Sequence, residues 1–511
     1  MVARTGIEMP LPDIALPAPA ESPSVPSLTI ELALPAEAAG RLTRLPAIGT
    51  RRLGRSRGGA ETLIWFDTPQ GALAEAGLAL EQGARGARRL LVTLPAANAP
   101  WHPGLPPAPA AEDAMPAAAA AGPLVALAAF HGRKLGFALS HAAGEVEALL
   151  LTGKLRAVAD EHPVARLTLT GPATAVLAIA REIAAELPAL PPAAALAEEA
   201  RALAQGDRPR LRRKGAPDPG TATTVEEALA LAVGHLAEVV LALAPGARAD
   251  AGPEAVHQMR VGLRRLRSVL KLFRRAADGP APKALEAGLK TLLGFLGPAR
   301  DWDVFTLGIG RAISEAMPEE RAVAALLDAA EGRRQAAYAA LERFLHSPDY
   351  RLLAWELTGF VAEARWREEA SEEALTLLAS PLQPFAEALL AKRWKGLAED
   401  GAVMAEMDDE RLHEMRLDAK RLRYAAELFA PLWAGRRSRR FLKRLAAVQE
   451  ALGLANDAVV AGALAASLAN GRAERAYAIG IVTGWARGRV GRVRQEATET
   501  WDDLDATGAF W

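Results

Sequence analysis

Residues 257–267 read HQMRVGLRRLR, and residues 413–423 read HEMRLDAKRLR. The segments lie 156 positions apart with their basic residues in register: His257 with His413, Arg260 with Arg416, Arg264 with Lys420, Arg265 with Arg421, Arg267 with Arg423. The same offset aligns LGPARDWDV, from Leu296, with LGLANDAVV, from Leu452, and so matches Asp301 to Asp457. Two motifs that keep one offset mark an internal duplication, with a period far longer than a solenoid repeat. This predicts two helical bundles related by approximate twofold symmetry.

On a helix of about 3.6 residues per turn, His257, Arg260, Arg264, Arg267, Lys271 and Arg274 share one face. Met259, Leu263, Leu266, Leu270 and Phe273 share another, which must bury. The copy repeats the basic face with His413, Arg416, Lys420 and Arg423. A third run, GRRSRRFLKRL, adds Arg436, Arg439, Arg440 and Lys443. Like charges at this spacing repel by roughly 0.2–0.5 kcal/mol per pair, yet no Glu or Asp interrupts the first stripe. If the twofold brings these helices together, they line one basic groove whose repulsion a polyanion relieves. Guanidinium forks suit phosphate oxygens, and Lys adds point charge. The competing reading is a solvated charged face. His257 and His413 fit capping or core roles, or phosphate contacts strengthened by protonation near neutral pH. Asp301 and Asp457 read first as helix N-caps, with orientation of a stripe arginine as the other role.

The rest of the chain restricts the options. It has 511 residues, half of them apolar, with 61 basic and 61 acidic side chains, so an anion site must come from local clustering. The absence of Cys excludes disulfides, thiolate metal sites and Cys nucleophiles. Charges interrupt the Ala-rich stretches, so no segment is expected to span a bilayer. The N-terminus lacks a signal-peptide core, and a cytoplasmic protein is expected. No P-loop, Gly-x-Ser-x-Gly elbow or His-Glu-x-x-His is present.

Residues 1–26 are Pro-rich and read as a disordered tail. Residues 27–205 mix strand patterns (SLTIELAL, TLIWFD, RRLLVTL, KLGFALSH, EVEALLLT, ARLTLT) with helical ones (PAEAAGRLTRL, ATAVLAIAREIAAEL) and a long Pro/Ala loop at 97–123. A basic linker is expected at 206–220. Residues 221–511 read as all helix, in halves of about 221–375 and 376–511. The class is therefore α+β multidomain.

HQMRVGLRRLRSVLKLF, LGPARDWDV and HEMRLDAKRLRYAAELF resemble the signature of the CHAD domain, the conserved histidine α-helical domain. The resemblance covers about 221–511. It implies two similar four-helix halves around a basic central channel, and an association with inorganic polyphosphate. It assigns anion contacts to His257, Arg260, Arg264, Arg267, His413, Arg416, Lys420 and Arg423. The stripe argument adds Lys271, Arg439, Arg440 and Lys443 to the expected polyphosphate contacts.

SLTIELALP, TLIWFDTPQGALAEAGLAL and GEVEALLLTGKL resemble the CYTH domain, the triphosphate tunnel metalloenzyme fold. That implies an antiparallel β tunnel with acidic residues for a divalent metal and basic residues for triphosphate. The sequence departs from the pattern. Where the family opens with Glu-x-Glu-x-Lys it has Thr29, Glu31 and Ala33. Glu81 and Gly83 stand for the expected Arg-x-Arg, Pro95 for a Lys, and Arg166, Thr168 and Thr170 for late carboxylates. Only Arg133 matches a basic tunnel position. A Mg²⁺ or Mn²⁺ site needs several hard oxygen ligands, and without them the charge developed in phosphoryl transfer goes unneutralised. The expectation is a degenerate tunnel domain with no catalytic residue, no cofactor, and Glu31 as a vestigial metal-ligand candidate.

The expected function is binding of inorganic polyphosphate, with targeting to polyphosphate granules. The alternatives are a metal-dependent triphosphatase or polyphosphatase in the tunnel domain, and nucleic-acid or acidic-protein binding by the groove. The stripes lack the aromatic side chains on which single strands stack. No membrane partner is expected, and the oligomeric state is left open.

Overall fold

The computed structural model describes residues 27–490 and 493–511. Eight antiparallel strands form one sheet: β1 (Ser27–Leu34), β2 (Arg52–Asp67), β3 (Leu78–Gly83), β4 (Arg88–Val92), β5 (Ala108–Pro109), β6 (Val125–His141), β7 (Gly144–Arg156) and β8 (Glu161–Pro172). Their order is β1-β8-β7-β6-β2-β3-β4-β5. The strands at the two ends do not pair, so the sheet is a curled half-barrel and not a closed tunnel. The outer edge of β1 is occupied by irregular chain instead. Glu31 N–H donates to Gly104 O at 2.7 Å, and Ala33 N–H donates to Leu190 O at 2.8 Å. Of the expected Pro/Ala loop, only the two residues of β5 join the sheet.

Alternation gives each face of the sheet its own core. Leu28, Ile30, Leu32 and Leu34 bury with Leu167 and Leu169 beneath α1 (Ala173–Glu186). The opposite face buries Trp65, Phe130 and Val164 against Leu196, Ala197 and Ala200 of α2 (Leu196–Gln205).

The helical region contains α3 (Val225–Leu243), α4 (Glu254–Leu272), α5 (Pro280–Val304), α6 (Arg321–Leu345) and α7 (Pro348–Ala362), followed by α8 (Leu382–Gly401), α9 (Asp409–Phe429), α10 (Arg436–Ala466), α11 (Ala473–Val490) and α12 (Val493–Asp505). The capping box of Thr224 and Glu227 starts α3. Val225–Gly246 is long and apolar enough to cross a membrane, contrary to the expectation from sequence, but it is buried as the central helix of this core. The apolar face predicted for α4 is buried throughout, from Met259 to Phe273. α3–α6 and α8–α11 form the two bundles. They share one core at the α4–α9 side and a separate one where Trp302, Phe305 and Leu326 meet Ala461, Ala465 and Val482.

The segment expected as a basic linker is pinned down. Arg212 and Arg213 are buried, and their guanidinium carbons lie 5.2 and 5.3 Å from the ring centroid of Trp101. Trp101 Nε1 donates to Glu238 of α3 at 3.0 Å, and Arg213 donates to the carbonyls of Pro95 and Ala99. Arg210 binds Glu198. Arg212 and Arg213 hold the sheet region to the helices and Arg210 holds the segment to the sheet region, so these three do not extend an anion path. Gly234 of α3 makes the approach possible, because a Cβ there would lie 1.8 Å from Trp101 O.

Candidate anion-binding cavity

A cavity of about 1330 Å³ opens between the two bundles. His257, Arg260 and Arg264 project into it from α4, Arg416, Lys420 and Arg423 from α9, and Arg300 and Asp301 from α5. Gln449 and Glu450 of α10 complete the polar part with Glu496. The heptad-like spacing on α4 and α9 sets this wall, since buried Met259 and Leu263, and Met415 and Leu422, fix the opposite face of each helix in the core.

The cations differ in their partners. Arg260 lies 3.5 Å from Asp301. Arg423 is held by Glu427 at 2.7 Å. Arg264 and Arg300 form no ion pair among the described residues, and Arg264 Nε is buried without a hydrogen-bond partner. The crowding is legible in the protonation equilibria. Burial pushes His257 below the ordinary imidazole range, and neighbouring Arg300, Arg264 and Arg260 push it further, against Glu254. Burial likewise lowers Arg260, with Asp301 opposing and Arg264 and Arg300 assisting. The wall therefore stores repulsion that a bound anion would remove.

Six of the twelve expected contacts meet here: His257, Arg260, Arg264, Arg416, Lys420 and Arg423. The other six lie outside. Arg267 and Lys271 turn toward Glu286 of α5, at 3.4 and 3.9 Å, an acid the stripe alone does not reveal. His413 is exposed one turn before Arg416. Arg439, Arg440 and Lys443 are exposed near the start of α10, ahead of its first cavity residue, Ala446. Arg439 and Lys443 share the helix face of Ala446, whereas Arg440 does not. Arg300 was missed, because its counterpart at the repeat offset is Asn456 and the duplication rule selects only matched cations.

Asp301 is not an N-cap. It lies inside α5, which continues through Pro298 because Leu296, Ala299 and Trp302 are buried around it. Its pairing with Arg260 is the alternative role. Asp457 falls within α10, but its side chain is outside the described residues. Beyond Val304 the helix passes into a π-helical turn, Phe305–Gly310, which lines the cavity with Phe305, Gly308 and Ile309.

The tunnel-like sheet carries a different arrangement. Glu31, Thr29 and Ala33 of β1 stand directly opposite Thr168, Thr170 and Arg166 of β8, so one carboxylate remains among the six positions. Desolvation pushes the Glu31 carboxyl upward, opposed by Arg166 and Arg212. Nearby Glu81 is engaged by Trp65 Nε1 at 3.1 Å and Arg89 at 2.6 Å, and Glu199 of α2 by Arg166. Arg133 is exposed and, by strand register through Thr152 and Ala165, lies on the face opposite Glu31. The two cannot pair. No group of three His, Asp or Glu side chains converges as metal ligands among the described residues. These residues do not fit the divalent metal that the resemblance implies.

The profile of the CHAD domain family matches residues 230–466. The chain is similar to the crystal structure of the CHAD domain from the plant Ricinus communis, at 31% identity over 58% of this chain and 95% of that one, with a TM-score of 0.47. It is also similar to PptA from Streptomyces chartreusis, at 20% identity over 55% of this chain and 100% of that one, TM-score 0.43. Hippeastrum HpAC1, described as having a dominant triphosphatase activity, aligns at 15% identity over 28% of this chain and 78% of that one, TM-score 0.20. No curated protein matches.

Proposed function

We propose that this chain, which belongs to the CHAD domain family through residues 230–466, binds inorganic polyphosphate in the cavity between its two bundles. The observation that carries the reading is Arg264 and Arg300: two guanidinium groups beside Arg260 and His257, with no acidic partner among the described residues. A solvated charged face would leave such groups in bulk water, where repulsion is weak. Here they are partly withdrawn from water, and a polyanion supplies their missing countercharge while reaching Arg416, Lys420 and Arg423 across the cavity. Each phosphate neutralised also releases counterions, as in nucleic-acid binding, so affinity falls with salt. In this reading a longer chain leaving the cavity would go on to His413, one turn from Arg416, and to Arg439 and Lys443, on the helix face of Ala446. Association with polyphosphate granules in the cytoplasm follows as part of the same proposal.

The test is calorimetric titration of long-chain polyphosphate at two salt concentrations, comparing wild type with Arg264→Ala/Arg300→Ala. The variant is expected to keep its fold, gain slightly in thermal stability, and bind at least about tenfold more weakly with a shallower salt dependence. Equal binding by both proteins, or tighter binding of RNA at matched charge, would overturn the reading.

A further inference from the structure

The cationic wall accounts for only part of the cavity. Past Asp301 the lining turns apolar, with Val304, Phe305 and Ile309 on one side and Val460, Ala461 and Leu464 of α10 on the other. This second wall is duplicated in the register of the first. The 156-residue offset matches Val304 with Val460, Phe305 with Ala461, and Gly308 with Leu464, and all six line the cavity.

Phe305 and Ala461 are buried in the core that joins the bundles, so part of the wall is explained by packing. The remainder is not. Val304 is 40% exposed, and Ile309, Val460 and Leu464 each keep part of their surface. A Cβ built on Gly308 would meet nothing within 4 Å, so the space beside this wall is open. A chain of inorganic phosphates has no apolar surface and gains nothing from these side chains. An occupant that is anionic at one end and hydrocarbon at the other satisfies both walls. The Phe305 ring is buried, which leaves aliphatic surface and no stacking platform, and so favours an alkyl chain over a nucleobase. The volume, above the roughly 300–1,000 Å³ of ordinary small-molecule pockets, accommodates both ends together.

We infer that the cavity also binds a phosphorylated amphiphile, a diphosphate or triphosphate ester of an aliphatic alcohol. Its phosphates would lie on His257, Arg264 and Arg300, and its chain on Val304, Ile309, Val460 and Leu464. This rests on the reading that the cations bind phosphate, and adds the chemistry of the second wall.

The full chain would be titrated with decyl diphosphate below its micellar concentration, with inorganic pyrophosphate, with uncharged decyl maltoside and with long-chain polyphosphate. Decyl diphosphate is expected to bind at least about tenfold more tightly than pyrophosphate, from burial of its chain. That gain is expected to disappear in Val304→Ser and in Leu464→Ser, while pyrophosphate affinity stays unchanged. Val304 is exposed enough for its variant to fold, which circular dichroism would verify. Equal affinity for decyl diphosphate and pyrophosphate in wild type overturns the inference, as do an undiminished gain in both variants and equally tight binding of decyl maltoside. Polyphosphate binding without a decyl advantage removes this inference alone. Loss of binding for every phosphate probe removes the polyphosphate reading as well.

Discussion

Arg265 of α4 and Glu427 of α9 form an ion pair at 2.8 Å across the boundary between the two bundles. Glu427 also holds Arg423 of the cavity wall. The repeat offset places Lys271 at the position equivalent to Glu427, and Arg421 at the position equivalent to Arg265. The mirror pair would set Arg421 against Lys271, two cations. Arg421 instead binds Asp418, and Lys271 turns to Glu286. The duplication therefore keeps the cavity pairs Arg260–Arg416 and Arg264–Lys420 and is asymmetric in the contact that joins its copies.

Arg265→Ala is expected to lower stability by about 1–3 kcal/mol, since both partners are mostly buried and Glu427 keeps only Arg423. Glu427→Gln should cost more, because it leaves two cations without their carboxylate. It should also release Arg423 toward the cavity and strengthen polyphosphate binding. Denaturant titration and calorimetry measure the two effects, and a double-mutant cycle isolates the pair.

Two histidines are expected to make the protein acid-sensitive, and a bound polyanion should rescue only one. Burial pushes His235 down to about 4. The unfolded chain therefore takes up a proton near pH 6.5 that the folded chain refuses. Stability is full above that value and is lost as pH falls toward 4, by about 3 kcal/mol in all. His257 is also lowered, so it loses stability in the same direction. An anion in the cavity favours protonated His257, which makes polyphosphate affinity rise as pH falls below neutrality. His257→Gln should flatten the pH dependence of binding and leave most of the acid lability, whereas His235→Gln should do the reverse. Titrations and denaturation midpoints at pH 7.5 and 5.5 separate the two.

Trp101 ties the sheet region to α3 through Glu238, Arg212 and Arg213. Trp101→Ala is expected to destabilise by about 3–5 kcal/mol, from the cavity and from two arginines and a carboxylate left without their common partner. The loss should be uneven. Limited proteolysis near residues 97–106 should accelerate, and thermal unfolding should split into two transitions.

The strands and the two bundles were legible because their signals are local: alternation in SLTIELAL, and the buried face from Met259 to Phe273 opposite a row of cations. The centre of the cationic wall followed from the repeat, since the matched pairs Arg260–Arg416 and Arg264–Lys420 face one cavity, whereas His413 and Arg267 do not join their counterparts there. What escaped depended on contacts distant in sequence. Glu286 withdraws Arg267 and Lys271, and no local pattern announces it. Arg300 enters through a helix that runs on past Gly297–Pro298, where the sequence suggests a break. The half-barrel stays open because Gly104 and Leu190 occupy the edge of β1, and neither belongs to a strand. Arg208 to Arg213 look like a solvated basic run, but the acids and carbonyls that hold Arg210, Arg212 and Arg213 lie on other elements.

One helix belongs to two neighbourhoods. On α7, Tyr350, Leu353 and Phe360 face the helical core, while Trp355 is buried among the side chains beneath β1 and donates its indole N–H to Ala189 O at 3.0 Å. Arg351 on the same helix closes the last carbonyls of α1. A fragment cut at the limits of the family match would carry this helix away with a bare tryptophan, and would also lack Trp501, which stacks on Trp394. Such a fragment would be prone to aggregation. A chimera that exchanges only the family-matched part would have to bring along a sheet partner whose surface suits Trp355. The border drawn by sequence likeness thus runs through the middle of a packed interior, and a change at Trp355 acts on both regions at once.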